Sequence, residues 1–446
     1  MQHPPHGDGP ATATVHRRAR GRLAAATALA TASAVGFSML GSAPAQAAEV
    51  THTIAQVQGE GATSPLAGST VTVEGVVTAN HRGTASYRGL YIQTQGVGAG
   101  TDATPKASDG LFVFLNNATA PGVDVGDLIR VTGAVSEFRR DNTPPVIDPL
   151  TITQINGSAA GAIEIVQEQV GLPAPVSLAA TVLGDTAREA LEGMLVSPTG
   201  TYKLISSHSL QNFGELWLNA GSAMPVEAFE TQAPGTKAAN DVTAANRASR
   251  IVLDDGYNAQ TTNASHPGEQ PYFSKEKVVR NGDTAVFPTG GYVLDYGFDL
   301  WRLQPTVPIN DASPANLKPT FTTGNPRPGV PAVGGDVKVA AFNVLNYFTT
   351  LTADNPNARG AATAAQFAIQ KSKIVNAINA LDADVVALQE IENSVKLGEA
   401  PDEALADLVA GLNAAAGSTV WDYVRTPAAL HDAAITDVIM NAIIYK

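Results

Sequence analysis

The stretch Leu381-Asp382-Ala383-Asp384-Val385-Val386-Ala387-Leu388-Gln389-Glu390-Ile391-Glu392-Asn393 decides how the C-terminal part of this chain is read. Asp384 to Gln389 is a short run apolar on both faces, the pattern of a strand buried in a layered sheet. Upstream, Ala364 to Leu381 places Phe367, Ile374, Val375, Ile378 and Leu381 on one helical face. Before that helix, Lys338-Val339-Ala340-Ala341-Phe342-Asn343-Val344 reads as another strand. Downstream, Pro401-Asp402-Glu403 suits the first turn of a second helix, which buries Leu405, Leu408, Val409 and Leu412 and stops near Gly417. Val438 to Tyr445 is a last strand. Strand, helix, strand, helix, strand predicts an α/β layered domain over 337–446. That span is too short to complete the sheet it opens, and Lys446 follows directly on a strand, so the sequence reads as C-terminally truncated.

Outward from that domain the grammar changes. Asn325-Pro326-Arg327-Pro328-Gly329-Val330-Pro331 marks a Pro/Gly-rich linker over 311–336. The 48–142 region carries short strands at Val71–Thr78, Leu90–Thr94, Leu111–Phe114 and Leu128–Thr132, with Gly75 as a bend. These predict a small barrel. A second β module with long loops is expected over 143–310, marked by Glu192–Val196, Gly214–Leu218, Arg250–Gly256 and Trp301–Thr306. The fold expected is therefore multidomain: an OB-fold-like barrel and a second all-β module, then the first part of an α/β domain.

Residues 1–47 have the layout of a secretory signal peptide: Arg17, Arg18, Arg20 and Arg22, then an uncharged alanine-rich stretch, then Ala45-Gln46-Ala47. The mature protein is expected to be secreted, with no membrane association after cleavage. The 446 residues predict several domains, and 15% charged with 44% hydrophobic residues describes a packable chain. With no cysteine, disulfides, thiolate zinc sites and cysteine nucleophiles are excluded. Loss of the leader, with four Arg and one Asp, takes the net charge from −13 to −16. A polyphosphate substrate then requires local cations or a divalent metal to offset repulsion.

Two strand ends hold the candidate chemistry. Asn343 follows the first strand of the α/β unit and Glu390 the second; such ends line ligand crevices in α/β sheets. A carboxylate there can hold a hard divalent cation, and an amide can orient a phosphate. Position alone favours a solvated strand-end carboxylate for Glu390 and a turn-forming asparagine for Asn343 over ligands.

Phe342-Asn343-Val344-Leu345-Asn346-Tyr347-Phe348, Lys373-Ile374-Val375 and Leu381 to Asn393 together resemble the opening of the endonuclease/exonuclease/phosphatase superfamily. The closer resemblance is to secreted bacterial ExeM/NucH-type nucleases with a DNase-I-like catalytic domain. Ser69–Thr78, Ala107–Val113, Leu253-Asp254-Asp255-Gly256 and Arg302-Leu303-Gln304-Pro305-Thr306 are similar to that family as well. The resemblance implies that Glu390 holds the catalytic metal, Mg2+ or else Mn2+ or Ca2+, and that Asn343 helps to position metal and phosphate. It matches Asp437 more loosely to an acidic residue supporting a catalytic histidine, and puts Asn346, Glu392 and Asn393 behind the site. The implied reaction is metal-dependent hydrolysis of phosphodiesters in extracellular DNA or RNA. The family's histidine, Asp-x-Asn pair and final Asp-His pair have no match before Lys446, so the chain is expected to be inactive alone. No protein partner is inferred.

Other signals are weaker. Asp254-Asp255-Gly256 lacks the alternating ligands of a calcium loop and reads as a turn. Tyr91, Phe112 and Phe114 could stack bases or pack in a core. The competing functions are a phosphodiesterase or phosphatase on lipid or sugar phosphates, and a non-catalytic polymer-binding surface protein.

Overall fold

The computed structural model describes residues 48–118, 120, 122–141, 150–434 and 437–446; the expected leader lies outside them. No described helix is long and apolar enough to cross a membrane. The chain divides into two compact units. One holds the chain through Val176 with Thr186–Val196 and Tyr292–Asp299; the other holds Ser177–Asp185, Ser197–Gly291 and Leu300–Lys446.

In the first unit, helix α1 (Ile54–Gln58) starts on a Thr53/Gln56 capping box. Strands β1 (Thr70–His81), β2 (Gly89–Gln93), β3 (Gly110–Phe114), β4 (Leu128–Phe138), β5 (Ile152–Asn156) and β6 (Ile163–Gln167) follow. The sheet runs β1-β2-β3-β5-β4 and closes through a β1–β4 pairing, with β3 and β5 parallel. Val76 is where β1 passes from β4 to β2, since it pairs with both Leu128 and Gln93. Gly75 stands beside that crossing, and a Cβ there would meet Ile54 Cδ1 at 3.0 Å and Gln93 O at 3.1 Å. Alternate residues fill the barrel, among them Val71, Val73, Leu90, Ile92, Leu111 and Val131. The barrel does not end near 142 as expected. Its closing strand is β5, which a five-residue run alone could not assign to one module or the next.

The next elements are β7 (Val176–Ala179), α2 (Asp185–Glu189), β8 (Leu195–Thr199), β9 (Tyr202–Ser206), α3 (Leu210–Phe213), β10 (Leu216–Ala220), α4 (Ala228–Thr231) and α5 (Lys237–Ser249). Then come β11 (Arg250–Leu253), β12 (Thr284–Val286), β13 (Tyr292–Gly297), β14 (Leu300–Pro305) and β15 (Thr320–Thr322). Within the second unit the order is β15-β12-β9-β10-β11-β14, with β11 and β14 parallel. Strand β15 lies inside the expected linker and pairs with β12, so the linker starts later than expected. A buried ionic cluster sits behind this sheet: Arg302 donates to Asp254 at 2.5 Å and Glu215 at 2.6 Å. Asp254-Asp255-Gly256 is a turn, as expected, with Asp254 Oδ1 accepting from Gly256 N at 2.8 Å. Its Asp255 meets His266 at 3.3 Å.

The α/β part also belongs to the second unit. Its strands are β16 (Val339–Tyr347), β17 (Val385–Glu392), β18 (Asp422–Tyr423) and β19 (Ile439–Tyr445), in the order β16-β17-β19-β18. β16 and β17 are parallel and β19 is antiparallel to β17. Helix α6 (Ala364–Leu381) has a Thr363/Gln366 capping box. Helix α7 (Glu403–Ala416) ends on Gly417 in the left-handed region. Both bury the faces read from the sequence, Ile374, Val375 and Ile378 with Leu405, Leu408, Val409 and Leu412, against Val386, Leu388 and Ile391 of β17.

Candidate functional site

Asn343 and Glu390 were expected just beyond their strands; both lie inside them, because β16 and β17 continue past a shared irregularity. Asn343 pairs with Gln389, and the next pair is Tyr347 with Ile391. On the other side of β17, Leu388 pairs with Ala442 and Ile391 with Met440, so Gln389 and Glu390 together face Asn441. This is a two-against-one bulge. Its logic is visible in the core. Val344 and Tyr347 are both buried, as are Leu388 and Ile391, and each pair is three residues apart rather than two. The extra residues, Leu345 with Asn346 and Gln389 with Glu390, are thereby kept out of the apolar core.

The irregularity is strained. Leu345, Asn346 and Glu390 have φ of 50°, 53° and 61°, in the left-handed region that side chains other than glycine avoid. Strain of this kind gathers at functional sites. Asn343 Oδ1 accepts from Leu345 N at 2.8 Å, and Gln370 Nε2 of α6 donates to Leu345 O at 2.8 Å. Gly360 folds back onto the same turn; a Cβ there would lie 2.6 Å from Phe348 Cβ and 3.1 Å from Asn346 O. Tyr347, which ends the irregularity, is buried and donates from its hydroxyl to Asp407 at 2.6 Å. Burial, reinforced by that carboxylate, pushes its phenol far above the ordinary range.

The half-buried Glu390 carboxylate makes no hydrogen bond or ion pair among the described residues, and Asn343 is exposed. Asp437 is placed differently. It stands outside β19, its Oδ1 meets the exposed Arg359 at 3.4 Å, and its carbonyl accepts from Asn393 Nδ2 at 2.9 Å. With Gln389, Asn393, Arg425 and Asn441 it lines an open cavity of about 610 Å³. Neither Asn343 nor Glu390 lines that cavity. The structure thus brings Asn343 and Glu390 to one level of the sheet and sets Asp437 apart. Glu392 is fully buried, accepting from Thr349, Thr350 and Ser394, which fixes the chain after β16. Burial raises Glu399, and the neighbouring Glu392 carboxylate acts in the same direction. Sequence reasoning missed Asn441 and Gln370. Asn441 alone had a signal, as the polar break in Ile439-Met440-Asn441-Ala442-Ile443-Ile444.

Among the described residues no three His, Cys, Asp or Glu side chains are grouped to hold a metal. One unpaired carboxylate and an amide oxygen are hard donors. They suit Mg2+ or Mn2+, which keep several waters and share their shell with substrate phosphate, better than Ca2+ with its six to eight oxygens.

The barrel offers no stacking platform at Tyr91 or Phe112. Tyr91 is fully buried and Phe112 is 3% exposed. Arg140 lies 4.0 Å from the Tyr87 ring centre and 5.3 Å from that of Phe112, and donates to Asp295 at 2.9 Å. These outward-facing aromatics are covered by the chain itself.

No family model matches the chain. No curated protein matches it either. Among solved structures it is similar to an OBody, AM2EP06, bound to hen egg-white lysozyme, at 20% identity over 28% of this chain and 98% of that one. The TM-score is 0.18, and at that value the likeness says nothing of function.

Proposed function

We propose that the α/β part carries a metal-dependent phosphodiesterase site of the DNase-I-like kind its sequence resembles, acting on extracellular nucleic acid in a secreted protein. The observation that carries this reading is Glu390: a carboxylate unpaired among the described residues and held in a left-handed conformation, one residue beyond the Asn343–Gln389 pair. Its backbone strain, of order 1–3 kcal/mol, is borne by the burial of Leu388 and Ile391 on either side, and strain of this kind gathers at functional sites. Glu390 and Asn343 would hold Mg2+ or Mn2+, and when bound the metal supplies charge stabilisation to a phosphate oxygen. Asn343 retains its amide N–H groups for a phosphate oxygen, because among the described residues only its Oδ1 is engaged.

The barrel's strand order is that of an OB-fold, which supports a nucleic-acid setting by analogy alone. Tyr91 and Phe112 are covered, whereas Phe114 is half-buried, so of the three barrel aromatics only Phe114 could meet a base. The test is binding of a fluorescent single-stranded oligonucleotide to the full chain with Mg2+, in parallel with vesicles containing an anionic phospholipid. The reading expects oligonucleotide binding that EDTA and Glu390→Gln each abolish. Chelator-insensitive binding would overturn it, and metal-dependent binding to vesicles alone would move the substrate to lipid phosphates.

A further inference from the structure

We infer that Gln370 is a positioning residue for the Asn343/Glu390 site, acting through the Val344–Asn346 turn; this rests on the phosphodiesterase reading above. The geometry is specific. Gln370 Nε2 lies 2.8 Å from Leu345 O and 3.4 Å from both Val344 O and Asn346 O. Three carbonyl oxygens of one turn therefore converge on one amide nitrogen. Without that donor their dipoles would face each other unscreened, and the turn would open. Leu345 cannot hold the turn by packing, because its side chain is 74% exposed. Asn343 clamps the same residue from the other side by accepting from Leu345 N. Leu345 is thus held at its carbonyl oxygen by Gln370, while its N–H, in the preceding peptide, fixes the side-chain rotamer of Asn343. Helix α6 supplies the anchor: the next residue, Lys371, bonds Asp407 at 2.7 Å, and Asp407 also accepts from Tyr347. The turn is therefore tied to α6 through Gln370, and Tyr347 beyond it to Asp407 of α7, which Lys371 of α6 also bonds. Among the described residues the Gln370 side chain bonds only the carbonyls of this turn and not Glu390, so its effect travels through Leu345 and Asn343.

The test is a double-mutant cycle on Mn2+ affinity of the full chain, followed by electron paramagnetic resonance, with Gln370→Glu, Gln370→Met and Asn343→Ala. Glu is close to isosteric and removes the donor; Met removes it without adding charge and serves if Glu prevents folding. Each Gln370 variant is expected to weaken Mn2+ binding about tenfold, the scale of outer-shell partners, Asn343→Ala to weaken it at least as much, and the doubles no further than Asn343→Ala alone. Hydrogen exchange supplies a readout independent of metal: the Leu345 amide should lose protection in both Gln370 variants while α6 amides keep theirs. If wild type fails to bind Mn2+, or Glu390→Gln binds it as well, the phosphodiesterase reading falls and the inference with it. If wild type binds, Glu390→Gln does not, and the Gln370 variants match wild type or add fully to Asn343→Ala, the inference alone is overturned.

Discussion

Asn343 pairs with Gln389 across the parallel β16–β17 ladder, and beyond that pair the register breaks on both strands. Ladder geometry would send every second residue of each strand into the helix-facing core. The break instead leaves Glu390 half-buried and, among the described residues, unpaired, one residue beyond the partner of the exposed Asn343.

Strain predicts a gain in stability when it is relieved. Leu345→Gly removes a side chain that is 74% exposed and frees a φ of 50°. It should stabilise the chain by about 0.5–1 kcal/mol in urea denaturation, the left-handed penalty of 1–2 kcal/mol less the added flexibility of glycine. A loss of stability would show that the turn is not strained.

Gly360→Val should act in the opposite direction. Its Cβ would collide with Phe348, which is fully buried and cannot give way. The expected cost is about 1–3 kcal/mol in the same denaturation experiment, the scale of overpacking.

The barrel aromatics make a third test. Phe112→Ala should lower stability by about 3–5 kcal/mol, as for other buried aromatics. A folded Phe112→Leu variant should bind oligonucleotide as wild type does, since the ring lies under Arg140 rather than in solvent. Weaker binding with unchanged stability would restore the stacking role.

Stability should also depend on pH through the buried Asp255–His266 pair. Burial pushes Asp255 up to about 7, and the Asp255 hydrogen bond raises His266 above its ordinary value; Asp254 and Glu269 lie close enough to act on them. Both shifts mean that the folded chain binds more protons than the unfolded one. The pair's contribution is therefore fully present near pH 4 and is lost as pH rises through about 7 and beyond. Comparing wild type with Asp255→Asn in denaturation series from pH 5 to 8 checks this. The wild type should lose stability relative to the variant as pH rises, and a difference that widens toward acid in the variant's favour would contradict it.

Much of the α/β part was legible because periodicity reports burial directly. Helix α6 spans Ala364–Leu381 as its apolar spacing predicts, and the four apolar positions read for α7 are all buried. Less was legible where structure depends on partners distant in sequence. β5 closes the barrel only by lying between β3 and β4, and nothing in Ile152–Asn156 names those partners. Helix α5 escaped notice because Lys237–Ser249 buries only Ala239 and so lacks an apolar stripe. At the site, strand-end logic pointed to Asn343 and Glu390 but not to the bulge, since left-handed Leu345 and Glu390 contradict local propensity, and Leu345 is held by Gln370 from another element. The aromatic pattern on the barrel was ambiguous for a related reason: alternation shows that Tyr91 points outward, not that another segment covers it.

The most direct measurement is Mn2+ titration of the full chain by electron paramagnetic resonance, comparing wild type with Glu390→Gln and with Asp437→Asn. A saturable site lost in the Glu390 variant and kept in the Asp437 variant is the predicted result. Equal binding by wild type and Glu390→Gln, or no saturable binding at all, would contradict the central claim that this carboxylate holds a divalent cation.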